Sequence, residues 1–286
     1  MLKKVCRLIP DKLYLKIAYY YFFKKRLNLK NPKTFNEKLQ WLKIYDRKNE
    51  YTKMVDKYEA RFFIANKIGK EYLIPLLGVW DSADDIDFNS LPDQFVLKTT
   101  HDSGGVRICK NKNEFDFNEA KLFLNKRLKS NFFYFGREWP YKNVKPRIIA
   151  EKYLKESNSD NLKDYKIYCF NGVPKYCQVI SDRYTHETID FYDMEWNHQN
   201  FVGLTKNVHN AKYTHTKPVN LDLMINFSKI LSKNIPFIRV DFFEVNKKLY
   251  FGELTFYPAS GFGKFTPDEW NYRIGELINL NLIAKD

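Results

Sequence analysis

Two short segments near the C-terminal end carry the residues best suited to chemistry. Arg239-Val-Asp241 lies inside an apolar run, 237–243, and Glu253-Leu-Thr255 closes a second, 249–255, with the polar residues 244–248 between them. Runs of this length and composition predict an antiparallel pair of strands, and strand alternation then puts Arg239 with Asp241, and Glu253 with Thr255, on common faces. Two carboxylates converging from neighbouring strands suit a divalent cation of the Mg²⁺ kind, which takes a few hard side-chain oxygens and completes its shell with phosphate and water. Arg239, two positions before Asp241, is placed to neutralise charge that develops on a transferring group. A strand-edge ion pair between Arg239 and Glu253 would account for the same residues without any ligand.

A second set lies upstream. Residues 94–98 read as a strand ending in Lys98, Thr99-Thr-His-Asp-Ser-Gly-Gly105 as a polar glycine loop, and 106–109 as a returning strand. Such a loop can fold backbone N–H groups over a polyphosphate while Lys98 reaches its oxygens. It is not a Walker A loop, because the Gly-x4-Gly-Lys-Ser/Thr spacing is missing and a strand follows, so an ordinary hairpin remains an alternative. His101 reads as a hydrogen-bonding residue of the loop or of a phosphate, not as a base. After a strand at 146–151, Glu151-Lys152-Tyr153-Leu154 could offer backbone donors and acceptors to an adenine edge. Asp164 is placed for ribose hydroxyls and Lys166, on its face, for phosphates; both read equally well as solvated strand residues.

The elements that must hold these residues follow from pattern. Residues 11–70 are helical in character, with Leu39, Trp41, Leu42 and Tyr45 on an apolar stripe and Thr34 three positions before Glu37 at capping-box spacing. Pro75 ends that pattern, 76–80 is a short strand and 81–85 a polar loop. With a helix at 118–129, the strands 94–98 and 106–109 predict a small βαβ-like lid. Asn171-Gly172 between 164–170 and 173–180 predicts a type I′ hairpin, in the register Phe170 opposite Val173, Tyr168 opposite Lys175 and Lys166 opposite Cys177.

Composition bounds the rest. A chain of 286 residues with 44% hydrophobic content can bury a core. Cys6, Cys109, Cys169 and Cys177 show no Cys-x-x-Cys and no Cys/His grouping at metal spacing, which predicts reduced thiols and a cytoplasmic protein. The apolar stretch 13–23 is interrupted by Lys16, falls short of the roughly 20 residues a membrane span needs, and is followed by no small-residue cleavage site. The net charge of +14 is concentrated in residues 1–60, with 16 Lys/Arg against 6 Asp/Glu. Such a field attracts an acidic polysaccharide or anionic lipid headgroups. Lys12, Lys16 and Lys24 share a helical stripe with Tyr20, with Leu13, Ile17 and Tyr21 off it, which fits an interfacial helix as well as a solvated face. No nucleic-acid-binding motif accompanies the charge.

Taken in order, a lysine strand with a glycine loop, a Glu-Lys-aromatic-Leu segment, an Arg-x-Asp strand and Glu-x-Thr ahead of Pro258 and Gly261 resemble the ATP-grasp superfamily. Asn31-Pro-Lys-Thr-Phe-Asn-Glu-Lys38, Asp56-Lys57, Leu91-Pro-Asp-Gln-Phe-Val-Leu-Lys98, Asp164-Tyr-Lys-Ile-Tyr-Cys-Phe-Asn-Gly172 and Glu253-Leu-Thr-Phe-Tyr-Pro-Ala-Ser-Gly261 look like its teichuronopeptide-biosynthesis, or TupA-like, branch. The resemblance implies an α+β ATP-grasp fold, two α+β lobes clasping ATP, with a basic helical region at 1–90, a lid lobe at 91–154 and a C-terminal lobe at 155–286. It implies that Lys57 and Lys98 contact ATP phosphates, that Ser103, Gly104 and Gly105 cover them, that residues 151–154 form an adenine hinge and that Asp164 takes the ribose. Asp241 and Glu253 would hold Mg²⁺, and Arg239 would stabilise an acyl phosphate and the tetrahedral adduct. Many superfamily members carry Asn where this chain has Thr255, a weaker neutral donor, which bears on whether one or two ions bind.

The implied activity is an ATP-dependent carboxylate–amine ligase that joins an amino acid or peptide amine to a uronic acid of a cell-surface glycan. Peripheral contact with the inner face of the membrane through the basic N-terminal region, and no nucleic acid, complete that expectation. A glycosyltransferase using Asp85-Ile-Asp87 as a metal-binding triplet is the rival, but it leaves Arg239, Asp241 and Glu253 unexplained. A simple polyanion-binding module explains the charge and not the acidic pair.

Overall fold

The computed structural model describes residues 7–157, 162–182, 186–204 and 208–283; Cys6 and the middle of the polar loop after Leu154 lie outside them. The chain divides into two compact units, one made of residues 48–155 and the other of 1–47 together with 156–286. No helix among the described residues is long and apolar enough to cross a membrane.

In the larger unit, α1 (Asp11–Phe23) and α2 (Phe35–Tyr45) precede the inserted segment. The capping box forms as its spacing predicts: the Thr34 hydroxyl accepts from the Glu37 amide and the Glu37 carboxylate accepts from the Thr34 amide. A six-stranded antiparallel sheet follows in the order β11-β10-β5-β6-β7-β8, where β5 is Asp164–Phe170, β6 Val173–Ser181, β7 Thr188–Tyr192, β8 His198–Gln199, β10 Phe237–Val245 and β11 Lys248–Thr255. Two-residue strands β9 (Val202–Gly203) and β12 (Phe265–Thr266) pair separately.

The hairpin between β5 and β6 turns on Asn171 and Gly172, both at positive φ, as a type I′ turn requires. Its register departs from expectation after two pairs. Phe170 opposes Val173 and Cys169 opposes Pro174, but Tyr168 opposes Tyr176 and Lys166 opposes Gln178, leaving Lys175 unpaired in a bulge. Pro174 has no N–H to give the ladder, and the bulge absorbs that loss. The consequence is a change of face. Cys177 turns into the core opposite Ile167, and Gln178 joins the face of Lys166 and Tyr168, where its Oε1 accepts from the Tyr168 hydroxyl at 3.0 Å.

The opposite face of β5, β6 and β10 is covered by an amphipathic helix between Leu221 and Leu231, with Leu221, Met224, Phe227, Ser228 and Leu231 buried. Cys169 lies against the Ser228 carbonyl. Alternation therefore points Asp164, Lys166 and Tyr168 away from that helix.

The inserted unit starts with α3 (Glu50–Val55) and α4 (Glu59–Ile68) and builds a four-stranded sheet from β1 (Leu76–Trp80), β2 (Phe95–Thr99), β3 (Val106–Cys109) and β4 (Ile148–Lys152). Its order is β1-β4-β2-β3 and every pairing is antiparallel, so this is not the βαβ-like arrangement the sequence suggests. The helix after β3, α5 (Phe117–Leu128), does not cross over to a parallel strand; the chain returns through β4, which wedges between β1 and β2. Phe95, Leu97, Ile148 and Ala150 pack with Leu124 of α5 in the core of this unit, which leaves Lys98 and Glu151 on the other face of the sheet. Two further helices complete the count of eight among the described residues in chain order: α6 (Phe133–Gly136) here, and in the larger unit the helix over β5, which is α7 (Leu221–Leu231), then α8 (Glu269–Glu276).

One stripe of α2 fixes the loop that follows β11. Asn36 Nδ2 donates to the carbonyls of Gly261 and Gly263 at 3.0 and 2.9 Å, Gln40 Nε2 to Gly261 O at 2.8 Å, and the buried Lys43 Nζ to Ser260 O at 2.7 Å. The loop needs this support, because Ala259 and Ser260 sit at φ of 48° and 52°, a conformation costing about 1–2 kcal/mol per residue. Asn36→Ala should take this donor from the Gly263 carbonyl, while Gly261 O keeps the bond from Gln40 Nε2, and lower the unfolding free energy by about 1–2 kcal/mol. A denaturant titration reads this as a lower midpoint with unchanged slope.

Candidate functional site

The larger unit concentrates charge on the face of its sheet turned away from α7. Opposite pairs along β5, β10 and β11 are Tyr168 with Arg239, Lys166 with Asp241, Asp164 with Phe243, and Arg239 with Thr255. A bulge between β10 and β11 at Asp241 shifts the register, with Gly252 packed over the Asp241 backbone, where a Cβ would come within 3.1 Å of its carbonyl oxygen. Glycine is needed there for close approach.

The side chains on this face form one network. Arg239 holds Asp241 in a fork, Nε to Oδ1 at 2.6 Å and Nη2 to Oδ2 at 2.7 Å. The same Nη2 reaches Glu253 Oε1 at 3.2 Å and Thr255 Oγ1 at 3.0 Å, and the Thr255 hydroxyl donates to Glu253 Oε1 at 3.0 Å. Lys166 Nζ bonds Asp241 Oδ2 from the other side and lies 3.9 Å from Asp164 Oδ1. Burial opposes the charge of Arg239, but Asp241 outweighs it by Coulomb attraction and hydrogen bonding, so the guanidinium is held above its ordinary pKa. Burial pushes the Tyr168 hydroxyl up as well, and it stays protonated.

The face brings together three carboxylates, Asp164, Asp241 and Glu253, with the cations Lys166 and Arg239. Arg239 Nη2 has hard oxygens of three residues, Asp241, Glu253 and Thr255, within 3.2 Å. That donor set is what Mg²⁺ takes from a protein when phosphate oxygens and water supply the remainder. The residues fit such an ion, with the guanidinium turned aside. Among the described residues no group of three or more His, Cys, Asp and Glu side chains is arranged to hold a metal by itself, so an ion here would depend on oxygens brought by its ligand. Glu253, 43% exposed at its side chain, is the open edge of the set.

The inserted unit carries the other constellation. Glu151 joins two cations on the face of its sheet turned away from α5, Lys98 Nζ at 2.7 Å and Arg61 Nη1 at 2.9 Å. Arg61, which the sequence reading does not single out, also donates to Ile74 O at 2.8 Å and so ties α4 to the entry of β1. Past the bond from the Lys152 amide to Pro75 O, Tyr153 and the buried Leu154 leave the ladder. Lys57, on the turn between α3 and α4, donates through Nζ to the Asp102 carbonyl, and its amide donates to Thr100 O at 3.2 Å.

The glycine loop is braced from below. Asp102 is buried, accepts from Thr99 Oγ1, and pairs with Arg127 Nε at 2.6 Å; Arg127 Nη2 also donates to Ser103 O at 2.6 Å. Ser103 and Gly104 are left exposed at the tip. His101 does not join them. Its ring is buried, its Nε2 pairs with the Arg127 carbonyl at 3.1 Å, and burial holds its pKa below the ordinary value, so it anchors the loop to the end of α5 instead of facing a phosphate. Nothing in the local spacing signals Arg127, which lies 25 positions beyond Asp102. Asp87 of the Asp85-Ile-Asp87 triplet caps a short turn through the Asn89 amide at 3.0 Å.

A family model described as TupA-like ATP-grasp matches residues 37–279. No curated protein matches the chain at a significant level. Among solved structures, D-alanine–D-alanine ligase from Bacillus anthracis complexed with ATP is similar at a TM-score of 0.40 and 16% identity, over 71% of this chain and 53% of that one. D-alanine–D-alanine ligase from Helicobacter pylori is similar at 0.42 and 13%, over 79% and 58%. Phosphoribosylamine–glycine ligase from Thermotoga maritima is similar at 0.43 and 12%, over 72% and 48%. The chain spans about half the length of each.

Two adjacent glycines should separate space from backbone strain. At Gly105 a Cβ would fall 1.7 Å from Thr99 Oγ1 and 2.6 Å from Asp102 Oδ1, whereas at Gly104, φ 82°, it meets nothing within 4 Å. Gly104→Ala should cost about 1 kcal/mol from strain alone. Gly105→Ala should cost more, about 1–3 kcal/mol, by breaking the Thr99–Asp102 bond, and thermal unfolding of the two variants side by side measures the order.

Proposed function

The chain belongs to the TupA-like ATP-grasp family, and on that premise we propose that it is a ligase that spends ATP to join a carboxylate to an amine. The γ-phosphoryl group passes to the carboxylate oxygen and ADP leaves; the amine then attacks the acyl phosphate, phosphate leaves, and an amide remains. No side-chain nucleophile is required, so the protein supplies position and charge neutralisation.

In this reading Lys57, Lys98 and the Ser103–Gly104–Gly105 tip bind the phosphates, residues 151–154 meet the adenine and Asp164 the ribose. Asp241, Glu253 and Thr255 hold Mg²⁺, which supplies Lewis-acid neutralisation of phosphate charge. Arg239, released from its fork on Asp241, stabilises the negative charge of the tetrahedral adduct, and Lys166 takes phosphate charge from the same face. The carboxylate is a uronate of a cell-surface glycan and the amine an amino acid or short peptide, as the family resemblance suggests, and the +14 charge favours an acidic acceptor. ATP supply places the reaction in the cytoplasm.

The observation that carries the reading is the convergence of Asp241, Glu253 and Thr255 oxygens on a single cationic nitrogen of Arg239. A lone ion pair would engage two of these groups.

Purified protein should release ADP and phosphate when a uronate and an amine are both supplied; turnover of a nucleotide sugar without ATP would transfer the case to a glycosyltransferase. Asp241→Asn and Glu253→Gln should each lower ADP release at least about a hundredfold; Glu253→Gln, at the exposed edge, should keep near-native thermal unfolding, whereas Asp241→Asn takes the paired charge from the buried Arg239 and should unfold at a lower temperature. Near-normal turnover in both would remove the proposed metal site. Arg239→Met should lower kcat by about 10²–10³ while nucleotide affinity changes little, since its charge is used on the adduct.

A further inference from the structure

Helix α1 presents an unusual outer face. Leu15 and Tyr19 bury one side of it against Leu27, Ile44 and Phe262 of the same unit. On the other side Leu13, Ile17, Tyr20 and Tyr21 are each more than half exposed, and Leu8, just before the helix, is almost fully so. At 100° per residue Leu13, Ile17, Tyr20 and Tyr21 occupy one continuous stripe. The side chains are not scattered singly, as exposed apolar residues normally are, but form a patch on a helix already anchored by its opposite face.

Cations border that stripe. Lys12 and Lys16 lie along one margin, and Lys24, Lys25 and Arg26 close its C-terminal end, all exposed. Lys24 Nζ lies 5.3 Å from the centre of the Tyr21 ring. The one acidic residue of the helix, Asp11, is paired with Arg47 at 2.7 Å. The stripe of lysines thus borders apolar residues that lie in the open beside it.

We infer that α1 is a surface anchor that lies in the plane of an anionic lipid bilayer, with Leu13, Ile17 and the two tyrosines in the headgroup–acyl boundary and the lysines on the phosphates. The inference is independent of the nucleotide chemistry. A helix of 13 residues is about 20 Å long, short of the roughly 30 Å hydrocarbon core, so it lies on the surface and does not cross. An acidic glycan in water would engage the lysines and leave Leu13 and Ile17 unburied. A second copy would set the same cationic margins against each other. Only a surface that is both apolar and negatively charged satisfies the whole face.

The test is sedimentation of the 286-residue protein with vesicles, without nucleotide. Vesicles containing phosphatidylglycerol should carry the protein down, with binding that weakens as salt rises, and pure phosphatidylcholine vesicles should not. Leu13→Glu with Ile17→Glu should weaken binding at least about tenfold, and Lys12→Glu with Lys16→Glu should abolish the preference for anionic lipid. All four sites are solvent-exposed, so both variants should retain the native unfolding temperature, and Tyr21→Ser gives a milder third variant should either fail to fold. Wild-type protein that stays in solution with anionic vesicles would overturn the inference, as would unchanged binding by the Leu13/Ile17 variant. A concentration-dependent dimer abolished by the same pair would reassign the face to a second copy, and binding to an acidic polysaccharide alone would reassign the lysines.

Discussion

The organisation of the larger unit depends on the fork of Arg239 on Asp241. Both groups are largely removed from water, and the Asp241 carboxylate is the nearest counter-charge to the buried guanidinium. Because the two residues are separated by one position on β10, they meet only if the strand stays extended, and because Arg239 must also reach Glu253 and Thr255, β11 must run beside it in one particular register. The bulge at Asp241, the glycine at 252 that permits it, and the tight turn at Asn246 and Lys247 that joins the strands are the local means of setting that register. Lys166 adds a second demand, that β5 lie on the other flank of β10, which the apolar cover of α7 enforces from behind.

The inserted unit applies the same electrostatic rule to a different purpose. Glu151 is buried and paired with both Lys98 and Arg61, so the lysine is held at a fixed place on the sheet by the carboxylate it bonds. Its glycine loop is likewise held by a buried acid, Asp102, under Arg127. In each case the exposed groups at the surface of the constellation, Ser103 and Gly104 in one unit and Glu253 in the other, are carried on a rigid charged base. Rigidity of that kind is what positioning by hydrogen bonds requires, since a group free to move loses the entropy of being placed only when the ligand arrives.

How much of this could be read from the sequence follows from the range of the interactions. Arg239-Val-Asp241 and Glu253-Leu-Thr255 are legible because strand alternation is local, and the Asn171-Gly172 turn because it needs only two residues of suitable φ. The bulge at Lys175 is not, although Pro174 is a visible warning: a proline removes a donor without saying how the ladder will recover. The antiparallel return of β4 is hidden for a similar reason, since strand composition carries no direction. Leu221, Met224, Ser228 and Leu231 do show the spacing of a covered helix, and α7 is the element pattern reading should add. His101 looks like a site residue because it sits in a polar loop; its burial under the end of α5 is a tertiary fact that no local pattern contains.

The charges themselves argue for a ligand. A network of Asp164, Lys166, Arg239, Asp241 and Glu253 on one sheet face is a poor investment in stability, because desolvating ions costs as much as their attraction returns, and apolar side chains of similar size would hold three strands together as well or better. Its least buried member, Glu253, is an acid. Exchange of the internal guanidinium for a divalent ion would use the whole set, since the guanidinium pairs the carboxylates and would be left as a cation beside the ion.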